Sequence, residues 1–162
     1  MKNRKGFTLI ELIIVIAIIA ILAAAIFVAL DPARRLNESR NARRYSDVTN
    51  ILDAVVKYQV DNDGTHYDEV ADLDPGDYHE IGECNSGATC TDQTVEAVCV
   101  NLSSIGTNYL GVVPADPKDG DVDESKYYLM KDNNGAIKVG ACEAEGEGAG
   151  GNGTAPTIEL VR

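Results

Sequence analysis

Leu12 to Leu30 is a run of 19 consecutive apolar residues, and as a helix it is about 28 Å long, close to the roughly 30 Å hydrocarbon core of a bilayer. Thirteen of the 19 are Leu, Ile, Val or Phe. Exposing that many large apolar side chains to water costs on the order of 20–40 kcal/mol, more than the whole stability of an ordinary domain. The apolar residues surround the helix rather than forming one stripe, so every face must be covered by lipid or by protein. A soluble monomer carrying this segment is excluded.

The rest of the chain is of the opposite character. From Tyr45 onward there are 23 acidic and 6 basic side chains, a balance of 6 − 23 = −17, within a total of 162 residues and a net charge of −12. This acidity makes nucleic acid an unlikely partner for the exposed part. The absence of Trp, the presence of only two His and the lack of paired CxxC spacing argue against haem, zinc-finger and His-based catalytic chemistry. No nucleophile elbow, HExxH or P-loop is present, so no enzyme is read here.

A secretory signal is one alternative for the start, since Lys2, Arg4 and Lys5 form a basic region and Ala23-Ala24-Ala25 offers a cleavage site. On that reading, a soluble binding domain is released with its mature end after Ala25. Against it, the apolar run is long for a signal, continues through Ile26-Phe27-Val28 and begins just after the carboxylate of Glu11. An acid at the edge of a membrane helix is costly enough to demand a partner or a function.

Lys5-Gly6-Phe7-Thr8-Leu9-Ile10-Glu11-Leu12-Ile13 resembles the leader and methylation signal of bacterial type IV pilins and type II secretion pseudopilins. The resemblance implies cleavage between Gly6 and Phe7 by a prepilin peptidase and N-methylation of Phe7. It also implies that Phe7 and Glu11 act in assembly, the amine of an incoming subunit pairing with Glu11 of one already docked. Loss of three leader bases leaves 11 bases against 26 acids, a formal −15. The resemblance demands a cytoplasmic N-terminus, whereas the five arginines beyond the apolar run pull against it on the positive-inside rule.

Asp31-Pro32 should kink the helix, because proline lacks an amide hydrogen and its ring collides with the preceding turn. Beyond it, Tyr45, Val48, Ile51, Leu52, Val55 and Val56 follow helical spacing with one buried stripe. The helix should end at Asp61-Asn62-Asp63-Gly64, where turn formers gather. Strands are expected over residues 78–82, 95–100, 127–131 and 136–141, the last two joined by a turn at Asp132-Asn133-Asn134-Gly135. The fold class is α+β: a long N-terminal hydrophobic helix whose C-terminal half packs on a small antiparallel sheet. That order resembles the pilin fold, as do Tyr109-Leu110, Val113-Pro114-Ala115-Asp116-Pro117 and Tyr127-Tyr128. The expected divisions are a leader at 1–6, a transmembrane and filament-core helix at 7–30, an amphipathic half-helix at 31–60, an acidic sheet domain at 61–145 and a flexible Gly-rich tail at 146–162.

Arg34, Arg35, Arg40, Arg43 and Arg44 form a basic collar of net +4 with Glu38. Pairing with acidic surfaces of neighbouring subunits is the preferred role, with anionic headgroups or nucleic acid as other partners. Four cysteines allow three pairings; Cys84 with Cys90 and Cys99 with Cys142 are expected. Asp116, Asp119, Asp121, Asp123 and Glu124 crowd one loop, and the related secretion pseudopilins bind Ca²⁺ in the corresponding place; the other reading is a solvated acidic turn. No other cofactor is expected. Asn152-Gly153-Thr154 matches a glycosylation acceptor by chance.

The whole reading is a structural subunit that polymerises through its N-terminal helix into a type IV pilus. It is stored in the cytoplasmic membrane with its N-terminus inside and ends as an extracellular filament of identical copies. Prepilin peptidase, assembly ATPase and platform protein are the partners the resemblance implies. The alternative that keeps the fold is a major pseudopilin of a type II secretion system.

Overall fold

A computed structural model describes residues 6–85, 87–105 and 108–162; Lys2, Arg4 and Lys5 of the expected leader lie outside the described residues. The apolar run forms α1, Leu9–Leu30, and the amphipathic segment forms α2, Pro32–Asp61. The two are separate helices. Asp31 takes a left-handed conformation (φ 42°, ψ 72°) and its side chain accepts a hydrogen bond from the Arg34 amide, while Pro32 opens α2. Proline explains both facts: it disfavours helical geometry in the residue before it and suits the first helical position, where no amide donor is needed. α2 stops where the turn residues predict, with Asn62 capping onto the Tyr58 carbonyl and Gly64 at φ +85°.

A short helix α3, Asp68–Ala71, leads into five strands: β1 (Tyr78–Gly82), β2 (Glu96–Val100), β3 (Glu124–Lys131), β4 (Ile137–Ala141) and β5 (Glu159–Val161). Their order in one sheet is β2-β1-β3-β4-β5. The sheet departs from the expected antiparallel arrangement at one edge, where β2 runs parallel to β1. It also gains β5 from the segment expected to be a flexible tail. Val48, Ile51, Leu52 and Val55 of α2 pack on Ile81, Tyr127, Leu129, Ile137, Val139 and Ile158, and this is the core. Alternation places Ile137 and Val139 inward with Lys138 between them. Gly140 faces Tyr128 across the β3–β4 ladder, and a Cβ at Gly140 would lie 2.3 Å from the tyrosine ring. Glycine here leaves the space that the end of the Tyr128 ring occupies.

Candidate functional site

The first functional surface is α1 itself. None of its 22 residues is buried against the rest of the chain, so its apolar area awaits a covering that the monomer does not provide. Thr8 and Glu11 form a capping box at its start: the Glu11 Oε2 accepts from the Thr8 amide and the Thr8 hydroxyl, each at 2.8 Å, and the Glu11 amide donates to the hydroxyl at 3.3 Å. Gly6, Phe7 and Glu11 are all exposed at this end of the helix.

The second feature joins α2 to the C-terminal segment. The Arg44 guanidinium, wholly buried, donates from Nε and Nη2 to both Asp116 oxygens at 2.5 and 3.0 Å and from Nη1 to Glu145 at 3.0 Å. Arg40 donates to both oxygens of Glu145. Asn41 donates to the Glu145 carbonyl and to Glu147, and Asn37 to the Gly146 and Gly151 carbonyls. The Gly150 amide donates to Asp31, the residue at the helix break. Burial opposes ionisation of Asp116, but Arg44 and the amides of Lys118 and Asp119 outweigh it and hold this carboxyl below the ordinary range. Glu145 is lowered in the same way, with burial overcome by Arg40 and Arg44.

This geometry corrects the arginine collar. Arg44 is buried in its own domain, and Arg40, its side chain 30% exposed, pairs there with Glu145. Arg34 and Arg35 pair with Glu38, and Arg43 lies 3.7 Å from Asp47; these three remain outward-facing. Asn37, Asn41, Glu145 and Glu147 were not singled out from sequence. A signal for the asparagines existed, since Asn37, Asn41 and Arg44 continue the buried stripe of Val48, Ile51 and Val55 one helical turn at a time.

The acidic loop also differs from a cation cage. Asp116 serves Arg44, Asp121 accepts the amides of Asp123 and Glu124, Asp123 accepts Asn85, and Glu124 pairs with Lys126. Asp119 pairs with Lys118. Among the described residues, no three of these five carboxylates bring their oxygens within 4.8 Å of one another. Calcium needs 6–8 oxygens around one point, whereas these carboxylates are engaged separately by amides and cations of the chain itself.

The disulfides are Cys84–Cys99 and Cys90–Cys142, not the expected Cys84–Cys90 and Cys99–Cys142. The parallel pairing is the reason: β2 lies beside β1 with Ile81 opposite Val100, which brings Cys99 next to the residues just past β1. The loop between the two strands then carries Cys90 across to the end of β4.

Residues 1–27 match the family described as "Prokaryotic N-terminal methylation motif". The chain is also similar to the protein named "Type IV wide pilus major component PilA4" of Thermus thermophilus, at 49% identity over 63 residues, 38% of this chain and 46% of the relative. The match thus spans less than half of the relative's length. No solved structure gives a significant match. A prepilin-type motif thus feeds a long apolar helix into an α+β domain, and over its N-terminal part the chain is similar to a type IV pilus component.

Proposed function

We propose that the chain is the structural subunit of a type IV pilus, which polymerises when α1 exchanges lipid for the α1 helices of identical copies. The observation that carries this is a 22-residue helix with no buried residue attached to a domain that is otherwise folded and paired. The pilus reading is supported by the similarity to a protein described as a pilus component. The role is structural rather than enzymatic. The precursor sits in the cytoplasmic membrane with its N-terminus inside, is cut between Gly6 and Phe7 by a prepilin peptidase and is methylated at Phe7. An assembly ATPase and a platform protein move it into the filament.

In this reading, the Phe7 amine of an incoming subunit meets Glu11 of a neighbour in a bundle too dry to tolerate an unpaired charge. Arg34, Arg35 and Arg43 are the collar residues left to meet acidic neighbours. The loop around Asp116 is held by the Arg44 guanidinium, and calorimetry with millimolar Ca²⁺ decides between a cation site and a solvated acidic turn.

Mass spectrometry of sheared surface fibres tests the central claim. The expected result is an abundant chain beginning at methylated Phe7, lost from the fibre fraction but retained in the membrane in Glu11→Ala. A mature chain beginning after Ala25, or full-length processed protein stable in water without detergent, would overturn it. A chain found only in a short periplasmic fibre, absent from the surface, would select the pseudopilus.

A further inference from the structure

The two disulfides have different surroundings. Cys90 is tied to Cys142, which is fully buried; Cys84 and Cys99 are both half-buried. Beside the second pair stands Glu80 of β1, whose side chain is wholly buried. A Glu80 carboxylate oxygen and the two sulfurs all lie within 4.8 Å of one another. This is a carboxyl group placed out of water against a reducible bond.

Its position comes from an irregularity in the sheet. The β1–β3 register shifts between Glu80 and Gly82, and opposite it Lys126 adopts φ +61°, a left-handed conformation uncommon for a residue with a side chain. The bulge lets Glu80 and Lys126 both turn inward. Glu80 accepts the Thr89 amide at 2.6 Å and the Lys126 amide at 3.2 Å, and the Lys126 ammonium stands 3.7 Å away. The charged groups facing Glu80 are Lys126 and Glu124, both from β3; the 83–95 loop contributes the Thr89 amide, and β2 contributes Cys99. Burial is the largest influence on the carboxyl and pushes it above the ordinary carboxylate range, with the Thr89 amide and Lys126 pulling against it.

We propose that Cys84–Cys99 is a thiol–disulfide exchange site in which Glu80 carries the proton, and that its substrate class is a dithiol or disulfide carrier. A thiolate of the carrier attacks one sulfur of the pair and forms a mixed disulfide. The other sulfur leaves with the bonding electrons and takes the proton of Glu80. The carrier's second thiol then passes its proton to the Glu80 carboxylate and attacks the mixed disulfide. The first cysteine is released as a thiolate, which is protonated from water. Two electrons pass from carrier to protein, and the carrier ends as a disulfide. In reverse, Glu80 accepts the proton of the cysteine thiol that closes the bond. Exchange depends on how readily the leaving sulfur departs, and a proton delivered to it speeds that step. The exposed edge strand β2, joined to the sheet through β1 alone, is the element released when the bond opens.

The experiment treats the full chain in detergent micelles with dithiothreitol across a pH series, alkylates the opened thiols and maps them by mass spectrometry, with rates divided by the reagent's thiolate fraction. Cys84–Cys99 should open before Cys90–Cys142, and its corrected rate should fall by about tenfold or more as the pH rises through the Glu80 titration. Glu80→Gln should remove that pH dependence and leave Cys90–Cys142 opening at its former rate. Earlier opening of Cys90–Cys142, or a flat corrected profile in the unaltered chain, would overturn the proposal. If Glu80→Gln does not fold, the order of opening and the profile of the unaltered chain decide the matter.

Discussion

Arg44 and Asp116, 72 residues apart in sequence, meet as a two-pronged ion pair in which neither side chain touches solvent. The pair joins the middle of α2 to the loop before β3. The same guanidinium reaches Glu145, so three distant parts of the chain depend on one cation. Removing the cation leaves a carboxylate buried without its partner, which costs far more than an exposed pair is worth. Arg44→Ala should destabilise the full chain in micelles by about 3–5 kcal/mol, read as a shift in denaturation midpoint by circular dichroism. Arg44→Met with Asp116→Leu should recover most of that loss, because the apolar pair leaves no charge stranded. A midpoint unchanged in Arg44→Ala would show that the pair does not organise the fold.

The pH dependence has two limbs of opposite sign. Asp116 and Glu145 are held below the ordinary carboxylate range in the folded state. Their contribution is therefore complete above the unfolded value of about 4 and is lost as pH falls through the folded values. Glu80 is raised, so it costs stability when ionised, and that cost disappears as it takes up a proton. On acidification from neutral pH, thermal midpoints should first hold or rise and then drop below about pH 4. Glu80→Gln should remove the first limb and Asp116→Asn should shorten the second. A monotonic fall from neutral pH would contradict the assignment to Glu80.

Much of this architecture is legible in the amino-acid sequence. The 19-residue apolar run, the break at Pro32, the stripe from Val48 to Val55 and four strands near their expected bounds all follow from local periodicity and turn chemistry. What was not legible depends on pairings between distant segments. The parallel β1–β2 edge needs a crossover through residues 83–95, which carry no helical pattern, and the cysteine connectivity depends on that edge. Five arginines close together look like a surface collar; only the fold reveals that Glu145 and Asp116 draw two of them inside. The run Gly146-Glu147-Gly148-Ala149-Gly150-Gly151 has the composition of a linker. Its backbone is nonetheless held by Asn37 and Asp31, polar side chains whose targets are carbonyls and an amide rather than recognisable residues.

The disulfide arrangement makes a prediction about magnitude as well as connectivity. Non-reducing peptide maps should show Cys84 joined to Cys99 and Cys90 joined to Cys142. The bridged cysteines are 15 and 52 residues apart. In the chain-entropy account, longer loops stabilise more, roughly 3 kcal/mol for the first and roughly 4 kcal/mol for the second. Cys90→Ser with Cys142→Ser should therefore lower the denaturation midpoint more than Cys84→Ser with Cys99→Ser. Peptides joining Cys84 to Cys90 would refute the parallel edge as well as the bridge.

The C-terminal segment gives the sharpest contrast between a linker and a structural element. β5 completes the sheet beside β4, pairing Leu160 with Val139 and Val161 with Lys138. Ile158, just before it, is 2% exposed within the core, and the Ile137 amide and carbonyl both bond Arg162. Deleting residues 146–162 would uncover β4 and unseat the clasp on Asn37 and Asn41, so the shortened chain should fail to give a cooperative transition. Ile158→Ala isolates the packing part and should cost about 2–5 kcal/mol. Arg162→Ala removes only an exposed ion pair with Asp53 and should cost less than about 1 kcal/mol. Hydrogen exchange of the full chain offers an independent reading: the Val161 amide region should be protected alongside β4, whereas a free linker would exchange at once. Deletion that left the midpoint unchanged would show that β5 and the clasp add nothing to the domain.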